Sequence, residues 1–155
     1  MNWDMIFGGA NLLSILFWIV LIALPRTALT QTIVMYVGVG LLSFAYALLM
    51  ALVVGGIVDP VAQGDTSGGS GTSIVGVRAL FASDGGLTIG WIHYLAFDLF
   101  VGLWIAKDAD HKGFSRLLQA PILLLTLMAG PIGLLLWLLI RERRARDAAG
   151  PRRVN

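Results

Sequence analysis

The chain has 155 residues, of which 57% are hydrophobic and only 13% are charged, and its formal net charge is +2. A soluble domain carries roughly a quarter charged residues, so this composition excludes an ordinary water-soluble fold. The absence of cysteine excludes disulfides, thiol nucleophiles and thiolate-bound zinc or iron–sulfur clusters. The charges cluster between long uncharged stretches, which is typical of an integral membrane protein.

The first uncharged stretch predicts a transmembrane helix over about residues 5–24, closed by Pro25 and Arg26. A helix of about 20 residues is long enough to cross the hydrocarbon core of a bilayer. No basic region precedes this helix and no small-residue cleavage site follows it. We therefore expect a retained helix rather than a signal peptide.

The second uncharged stretch predicts a span over about residues 32–57. Gly40, Ser43 and Ala47 lie at helical spacing and predict a face on which a neighbouring helix packs closely. The Gly- and Ser-rich residues 59–76 predict a flexible aqueous loop. The more apolar segment that continues to residue 86 is either an interfacial or re-entrant segment or an ordered approach to the next span.

Two further spans are predicted over about residues 87–106 and 117–140. Trp91 and Trp104 would lie about 20 Å apart on the first of these helices, near the two membrane interfaces. Pro131, near the middle of the second, removes a backbone hydrogen bond and predicts a kink. We therefore expect one membrane domain, an all-α polytopic integral membrane protein with a bundle of four transmembrane helices.

The distribution of basic residues predicts the orientation of this bundle. Residues 141–155 form an Arg-rich tail, too short for nucleic-acid binding, and Arg-rich segments of this kind face the cytoplasm. Four spans would then place the N-terminus and the Gly/Ser-rich loop on the cytoplasmic side as well. Lys107, Lys112 and Arg116 would lie on the opposite side in this arrangement, which weakens the charge bias.

Asp98 is the feature of the third span that points to chemistry. A carboxylate at bilayer depth costs roughly 2.5–3.5 kcal/mol on insertion scales, so it must face the interior, find a partner or stay protonated. A carboxylic acid that stays protonated in an apolar pocket can act as a general acid. The structural alternative is a buried polar clamp that holds helices together.

Two neighbours of Asp98 on the predicted helix are candidates to assist it. Tyr94 precedes Asp98 by one turn and shares its face. His93 lies about 140° around the helix from Asp98 and need not touch it. His93 is a candidate base or metal ligand, and its structural alternative is a hydrogen bond to a neighbouring helix.

A second polar cluster follows the third span and contains Asp108, Asp110 and His111. The spacing of Asp108 and His111 is compatible with a metal, but a solvated loop is the better interpretation of this segment. The sequence contains neither an HExxH motif nor a phosphate-binding loop. We therefore predict no metal and no cofactor.

Three segments of the chain resemble conserved blocks of one protein family. The third span, GWIHYLAFDLFVGLWIAKDA, resembles the signature of the abscisic acid deficient 4-like family, whose plant members are associated with neoxanthin synthesis. The segments PILLLTLMAGPIGLLLWLLIR and FGGANLLSILFWIVLIALP are similar to further conserved blocks of that family, so the resemblance covers nearly the whole chain.

This resemblance implies a membrane protein that acts on an apolar carotenoid or isoprenoid lipid. In plants the implied reaction isomerises violaxanthin to neoxanthin: an acid protonates the epoxide oxygen and a base removes a vinylic proton, without a redox cofactor. It implies Asp98 as the acid, with His93 or Tyr94 assisting. We expect the substrate contacts to come from Asn11, Trp91, Phe97, Trp104 and Thr126.

The composition of the chain, rich in Arg, Ala and Gly, predicts a bacterial inner-membrane protein, and the first span begins almost at Met1 without a plastid transit peptide. Two further functions remain open on the sequence. One is a non-catalytic pigment- or lipid-binding protein that assists a partner enzyme, and the other is a small transporter or proton-handling protein built around Asp98. The glycines of the second and fourth spans either support a homo-oligomer or pack the spans of one chain.

Overall fold

The computed structural model describes residues 1–62 and 73–149, with side chains described as far as Glu142. These residues form helices α1 (Trp3–Ala23), α2 (Ala28–Ile33), a π-helical segment (Val34–Val39), α3 (Gly40–Val54), α4 (Ile74–Phe81), α5 (Asp84–His111), α6 (Arg116–Met128) and α7 (Gly130–Ala149). Helix α2, the π-helical segment and α3 follow one another without a break. The all-α membrane class is therefore confirmed.

Among the described residues, three helices are long and apolar enough to cross a membrane, and they comprise Trp3–Ala23, Ala28–Val54 and Asp84–His111. They overlap the first three predicted spans. Polar side chains define where two of them begin: Asn2 accepts a hydrogen bond from Met5 N, and Ser83 accepts one from Gly86 N. Such caps satisfy amide groups that have no partner within the helix.

Residues 63–72, which form most of the predicted Gly/Ser-rich loop, lie outside the described residues. The apolar segment after it is the short helix α4, which is capped by Ser73 and ends directly before α5. Its apolar residues are largely exposed, and Phe81 packs against Gly90 of α5.

Helix α5 is the centre of the bundle and contacts α1, α3, α4, α6 and α7. It runs in the same direction as α1, since Trp3 lies against Gly85 and Trp18 lies against Gly102 further along both helices. A Cβ added at Gly102 would overlap the Trp18 indole. The bare glycine backbone therefore makes room for a Trp side chain that is 1% exposed.

The predicted fourth span, residues 117–140, is where the structure differs most from the prediction. Helix α6 ends at Met128, and Ala129 leaves the helical conformation with φ −155° and ψ 70°. The carbonyl oxygen of Ala129 then accepts hydrogen bonds from Ile132 N and Gly133 N, which starts α7. Pro131 cannot donate to the preceding turn but fits the first turn of a new helix, so the chain breaks here instead of merely kinking.

Helix α7 folds back along α6 instead of continuing across the bilayer. Arg141 Nε lies 3.2 Å from Asp108 Oδ2, a residue that precedes α6. If α7 continued in the direction of α6, these atoms would be more than about 30 Å apart at 1.5 Å per residue. The predicted fourth span is therefore a helical hairpin, which we call the α6–α7 hairpin, with its tip at Ala129 and Gly130.

This hairpin changes the arrangement of the chain ends. Three long helices followed by a hairpin place Asp4 and Arg141 at opposite ends of the bundle, whereas four spans would place them at the same end. Arg26, Lys107 and Arg116 lie at the same end as Arg141, because they flank the ends of α1, α5 and the start of α6. We call this the basic end of the bundle.

The close contact between α1 and α5 can be tested at Gly102. Replacing Gly102 by alanine should lower the free energy of unfolding by about 1–3 kcal/mol, because the added methyl overlaps the buried Trp18 ring. Thermal unfolding of the detergent-purified protein measures this effect. Gly9→Ala is the matched control, since a Cβ at Gly9 meets nothing within 4 Å. Equal melting temperatures for the two variants would contradict the packing.

The hairpin can be tested by labelling, since the natural chain has no cysteine. Single-cysteine variants Asp4→Cys, Ser115→Cys and Glu142→Cys are treated in spheroplasts with a membrane-impermeant maleimide. Ser115→Cys and Glu142→Cys should behave alike, and Asp4→Cys should show the opposite accessibility. Four continuous spans would instead pair Asp4→Cys with Glu142→Cys.

Candidate functional site

Asp98 lies at the middle of α5 with its carboxyl group against the tip of the α6–α7 hairpin. Its side chain is buried, and a Cβ added at Gly130 would overlap Asp98 Oδ1. Helix α7 begins at Gly130, so the carboxyl group faces the positive end of a helix dipole. Tyr94, one turn earlier on α5, lies on the same side of the helix within reach of the Asp98 carboxyl group, which agrees with their predicted shared face.

Three buried polar atoms near this level have no hydrogen-bond partner among the described residues: Ser14 Oγ, Trp18 Nε1 and Asp98 Oδ2. The register that places Trp18 beside Gly102 places Ser14 level with Asp98, because α1 and α5 run in the same direction. Buried polar groups are normally hydrogen-bonded. The interior between α1, α5 and the hairpin tip therefore offers unused donors and acceptors to a polar group or water.

Asn11 and Trp91 belong to the same side of α5 as Asp98. Trp91 Nε1 donates to Asn11 Oδ1 at 3.0 Å, and the Trp91 ring stacks on Tyr94 with centroids 5.5 Å apart. Asn11 is held in turn by a 2.8 Å bond from its Nδ2 to the carbonyl oxygen of Phe7. Four of the predicted site residues, Asn11, Trp91, Tyr94 and Asp98, thus lie along one side of α5.

His93 lies on a different face of α5, beside α3. Its ring centroid is 5.3 Å from that of Tyr46 and 4.6 Å from that of Phe97. His93 lines a cleft of about 210 Å³ formed by α3, α4 and α5. The structure therefore divides the predicted catalytic set, with Asp98 and Tyr94 on one face and His93 with Phe97 on another, as the angular separation on the helix indicates.

The cleft at His93 is the first of three clefts that follow the line between α3 and α5. A second cleft of about 250 Å³ begins at Phe97, whose ring touches His93, and a third of about 310 Å³ shares Phe100 with the second. We call this row of three neighbouring clefts the α3–α5 groove. It is lined by Gly86, Ile89, Gly90, His93, Ala96, Phe97, Phe100, Leu103, Trp104 and Lys107 of α5, and by Met35, Val39, Ser43, Tyr46 and Met50 opposite.

The groove is as long as the membrane is thick. From Gly86 to Lys107 the axis of α5 rises by about 31 Å, which matches a hydrocarbon core of about 30 Å. Its lining is largely apolar and aromatic along this length. His93 and Ser43 are polar side chains in its middle part, whereas Lys107, Asp108 and His111 lie at its basic end.

The remaining two predicted contacts lie apart from each other. Trp104 lines the groove near the basic end, with the guanidinium carbon of Arg141 5.4 Å from its ring centroid. Thr126 is fully buried within the α6–α7 hairpin, where its hydroxyl donates to the carbonyl oxygen of Ile122 at 2.8 Å. A Cβ at Gly133 would overlap Thr126. Thr126 therefore packs the hairpin and does not line the groove.

The Asp108 carboxylate connects α5 with the return helix of the hairpin. The sequence predicted a solvated loop here, but Asp108 lies in the last turns of α5. Its Oδ1 is 2.8 Å from Lys112 Nζ, and its Oδ2 is 3.2 Å from Arg141 Nε and accepts a 3.1 Å bond from Trp137 Nε1. Sequence reasoning missed Trp137, whose only signal is a single Trp in a Leu-rich stretch.

A second network at the basic end joins the connection between α1 and α2 to α5 and α6. Arg26 Nη1 lies 2.9 Å from Asp110 Oδ1, and Gln119 Nε2 donates to the same oxygen at 3.0 Å. Arg26 also donates to Gln119 Oε1. These carboxylates have protein partners, and the described residues contain no group of three or more side chains placed to hold a metal.

Three long apolar helices with a buried carboxyl group among them define a polytopic helical membrane protein. The chain belongs to the ABA DEFICIENT 4-like family, whose model matches residues 5–137. The match runs from α1 through Trp137 and so includes the groove, Asp98 and most of the hairpin. No curated protein and no solved structure shows a significant match to the chain.

The role of Asp108 can be tested by removing its charge. Asp108→Asn should lower the free energy of unfolding by about 1–3 kcal/mol, because Lys112 and Arg141 lose their shared anion and Trp137 Nε1 its charged acceptor. Glu142→Gln removes the same charge from an exposed neighbour and should leave thermal unfolding nearly unchanged. A similar loss of stability in both variants would contradict the role of Asp108 in holding the hairpin.

Proposed function

We propose that this protein is a neoxanthin synthase-like isomerase that acts on a carotenoid or related isoprenoid by acid–base chemistry. Membership of the ABA DEFICIENT 4-like family supports the class of substrate. The observation that carries the proposal is the α3–α5 groove, a row of largely apolar clefts that together extend about as far as the membrane core is thick, with His93 among their lining residues. A long polyene fits such a groove because it is apolar throughout and can be reached from the lipid.

The reaction needs one proton removed and one proton added. A base takes a vinylic proton from the carbon next to the epoxide-bearing ring. The electrons of that C–H bond form the second double bond of an allene, the epoxide C–O bond breaks and its oxygen takes up a proton. The composition of the substrate is unchanged, so the step requires no oxidant or reductant.

His93 is the base that this geometry favours. Its ring reaches the first cleft of the groove, and general bases of this kind are most often histidines. The hydroxyl-bearing ring of Tyr46 lies beside it in the same cleft and is the candidate acid for the epoxide oxygen. A proton passed from His93 back to Tyr46 after turnover would restore both groups.

The interior site that contains Asp98 and Tyr94 is a second candidate for the same reaction. A ring end group would then have to lie between α1 and the hairpin tip, where Ser14, Trp18 and Asp98 have unused polar atoms. Asp98 would be the acid at that place, and Tyr94 would assist it. The two places lie on different faces of α5, so one substrate end group cannot reach both at once.

Substitutions at the two places distinguish them. With violaxanthin as substrate for the purified protein, His93→Gln should lower turnover by about 100-fold or more, as loss of a general base does. Tyr46→Phe should also slow turnover, whereas Tyr36→Phe, at an exposed tyrosine, is its matched control. Asp98→Asn should retain turnover within a few-fold.

Loss of turnover in Asp98→Asn but not in His93→Gln would move the reaction to the interior place. Failure of the folded protein to convert any carotenoid would overturn the isomerase proposal.

A non-catalytic pigment- or lipid-binding role is the alternative, and one observation favours it. The groove is open towards lipid, and Asp98 and His93 do not converge on one point. A pigment that co-purifies with the protein and stays unchanged on incubation would support this role. The absorption spectrum of the protein in mild detergent is the direct measurement.

We also propose that the protein lies in a bacterial inner membrane with its basic end in the cytoplasm. The hairpin brings Arg141 to the end at which Arg26, Lys107, Lys112 and Arg116 already lie, and short basic segments favour the cytoplasmic side. The N-terminus then faces the other side, unlike the arrangement expected from four spans.

A further inference from the structure

The basic end of the α3–α5 groove adjoins a polar cleft of about 330 Å³ lined by Arg26, Gln31, Lys107, Asp110 and His111. Lys107 and His111 also line the apolar cleft next to it, which contains Phe100 and Trp104. A polar cleft and an apolar one thus meet along the same two side chains. This combination suits an amphiphile rather than a wholly apolar molecule.

The charge of the polar cleft favours an anion. Both carboxylates at this end are already paired, Asp110 with Arg26 and Asp108 with Lys112 and Arg141. Lys107 is exposed and has no ion pair with any residue in the described ranges 1–62 and 73–142. Its ammonium group has three donors available for phosphate oxygens. The His111 ring stays beside it, with Nδ1 3.3 Å from the carbonyl oxygen of Lys107.

The apolar part of the site lies deeper in the membrane. Along α5, Phe100 precedes Lys107 by about 10 Å and Trp104 precedes it by about 4.5 Å. Indole rings favour the interface between headgroups and acyl chains, and Arg141 lies 5.4 Å from the Trp104 ring centroid. Lys107 and His111 are therefore at headgroup depth, and Phe100 is at acyl-chain depth.

We propose that this end of the groove is a binding site for an anionic glycerophospholipid. Its phosphate lies at Lys107 and His111, and one acyl chain runs along Trp104 and Phe100. A zwitterionic lipid is a poorer occupant, because its own ammonium group repels Lys107 and weakens the attraction to the phosphate. The site rests on the groove and its charges and does not depend on the proposed isomerase activity.

Native mass spectrometry of the detergent-purified full chain tests the site with two lipid probes, phosphatidylglycerol and phosphatidylcholine. The natural protein should retain phosphatidylglycerol about 10-fold more tightly than phosphatidylcholine. Lys107→Ala should abolish this preference, whereas Lys107→Arg should keep it. Arg78→Ala is the matched control, because it removes an exposed cation from α4 at the opposite end of the bundle.

Three results would overturn the proposal. The first is equal affinity for the two lipids, and the second is an equal loss of the preference for phosphatidylglycerol in Lys107→Ala and Arg78→Ala. The third is competition by inorganic phosphate alone at a similar concentration, which would indicate a site for a free anion. If Lys107→Ala does not fold, His111→Glu provides the same test, since it places a negative charge at an exposed position next to Lys107. It should weaken phosphatidylglycerol binding about 10-fold and leave phosphatidylcholine binding unchanged.

Discussion

The Asp108 carboxylate holds together parts of the chain that the rest of the fold depends on. It binds Lys112 just after α5 and Arg141 and Trp137 on α7, so it ties the return helix of the hairpin to the end of the central helix. Its charge is shared by two cations and an indole N–H, an arrangement stronger than an isolated surface pair. Because α7 is anchored there, its first residue, Gly130, arrives beside Asp98 at the middle of the bundle.

The contact between Gly130 and Asp98 explains how a carboxyl group is tolerated at this depth. Gly130 has no side chain, so the start of α7 approaches Oδ1 closely, and the helix dipole there favours negative charge. The polar-clamp and functional interpretations of Asp98 are therefore compatible with each other. Oδ1 lies against the hairpin tip, while Oδ2 has no partner among the described side chains and remains available.

Hydropathy was sufficient to predict α1 and α5, because long uncharged stretches have few structural options in a bilayer. The division between His93 and Asp98 also followed from the sequence, since a helix fixes the angle between positions five apart. The return of α7 along α6 could not be predicted from the sequence, because hydropathy counts apolar residues without giving the direction of the chain. Pro131 indicated only a kink, and the partner that holds the returning helix, Asp108, precedes α6.

The charged segment after the third span was misinterpreted for the same reason. Asp108 and Asp110 look like loop residues locally, yet each meets a cation from a distant part of the chain, Arg141 or Arg26. Those long-range pairs allow α5 to continue to His111. The π-helical segment Val34–Val39 had no sequence signal, although Gly38 within it packs against Phe17 and Leu99.

Access distinguishes the two faces of α5 as sites for the proposed reaction. His93 is exposed and borders the groove, so an apolar molecule in the lipid reaches it without any movement of the helices. Asp98 is covered by the backbone of Gly130, and a molecule reaches it only if the hairpin tip separates from α5. The ion pairs that anchor the hairpin lie at its base rather than at its tip, so such a movement would bend the tip while Asp108 keeps its partners. A reaction at His93 therefore requires no movement of the hairpin tip, whereas a reaction at Asp98 does. It also leaves the interior carboxyl group free to hold the hairpin in place.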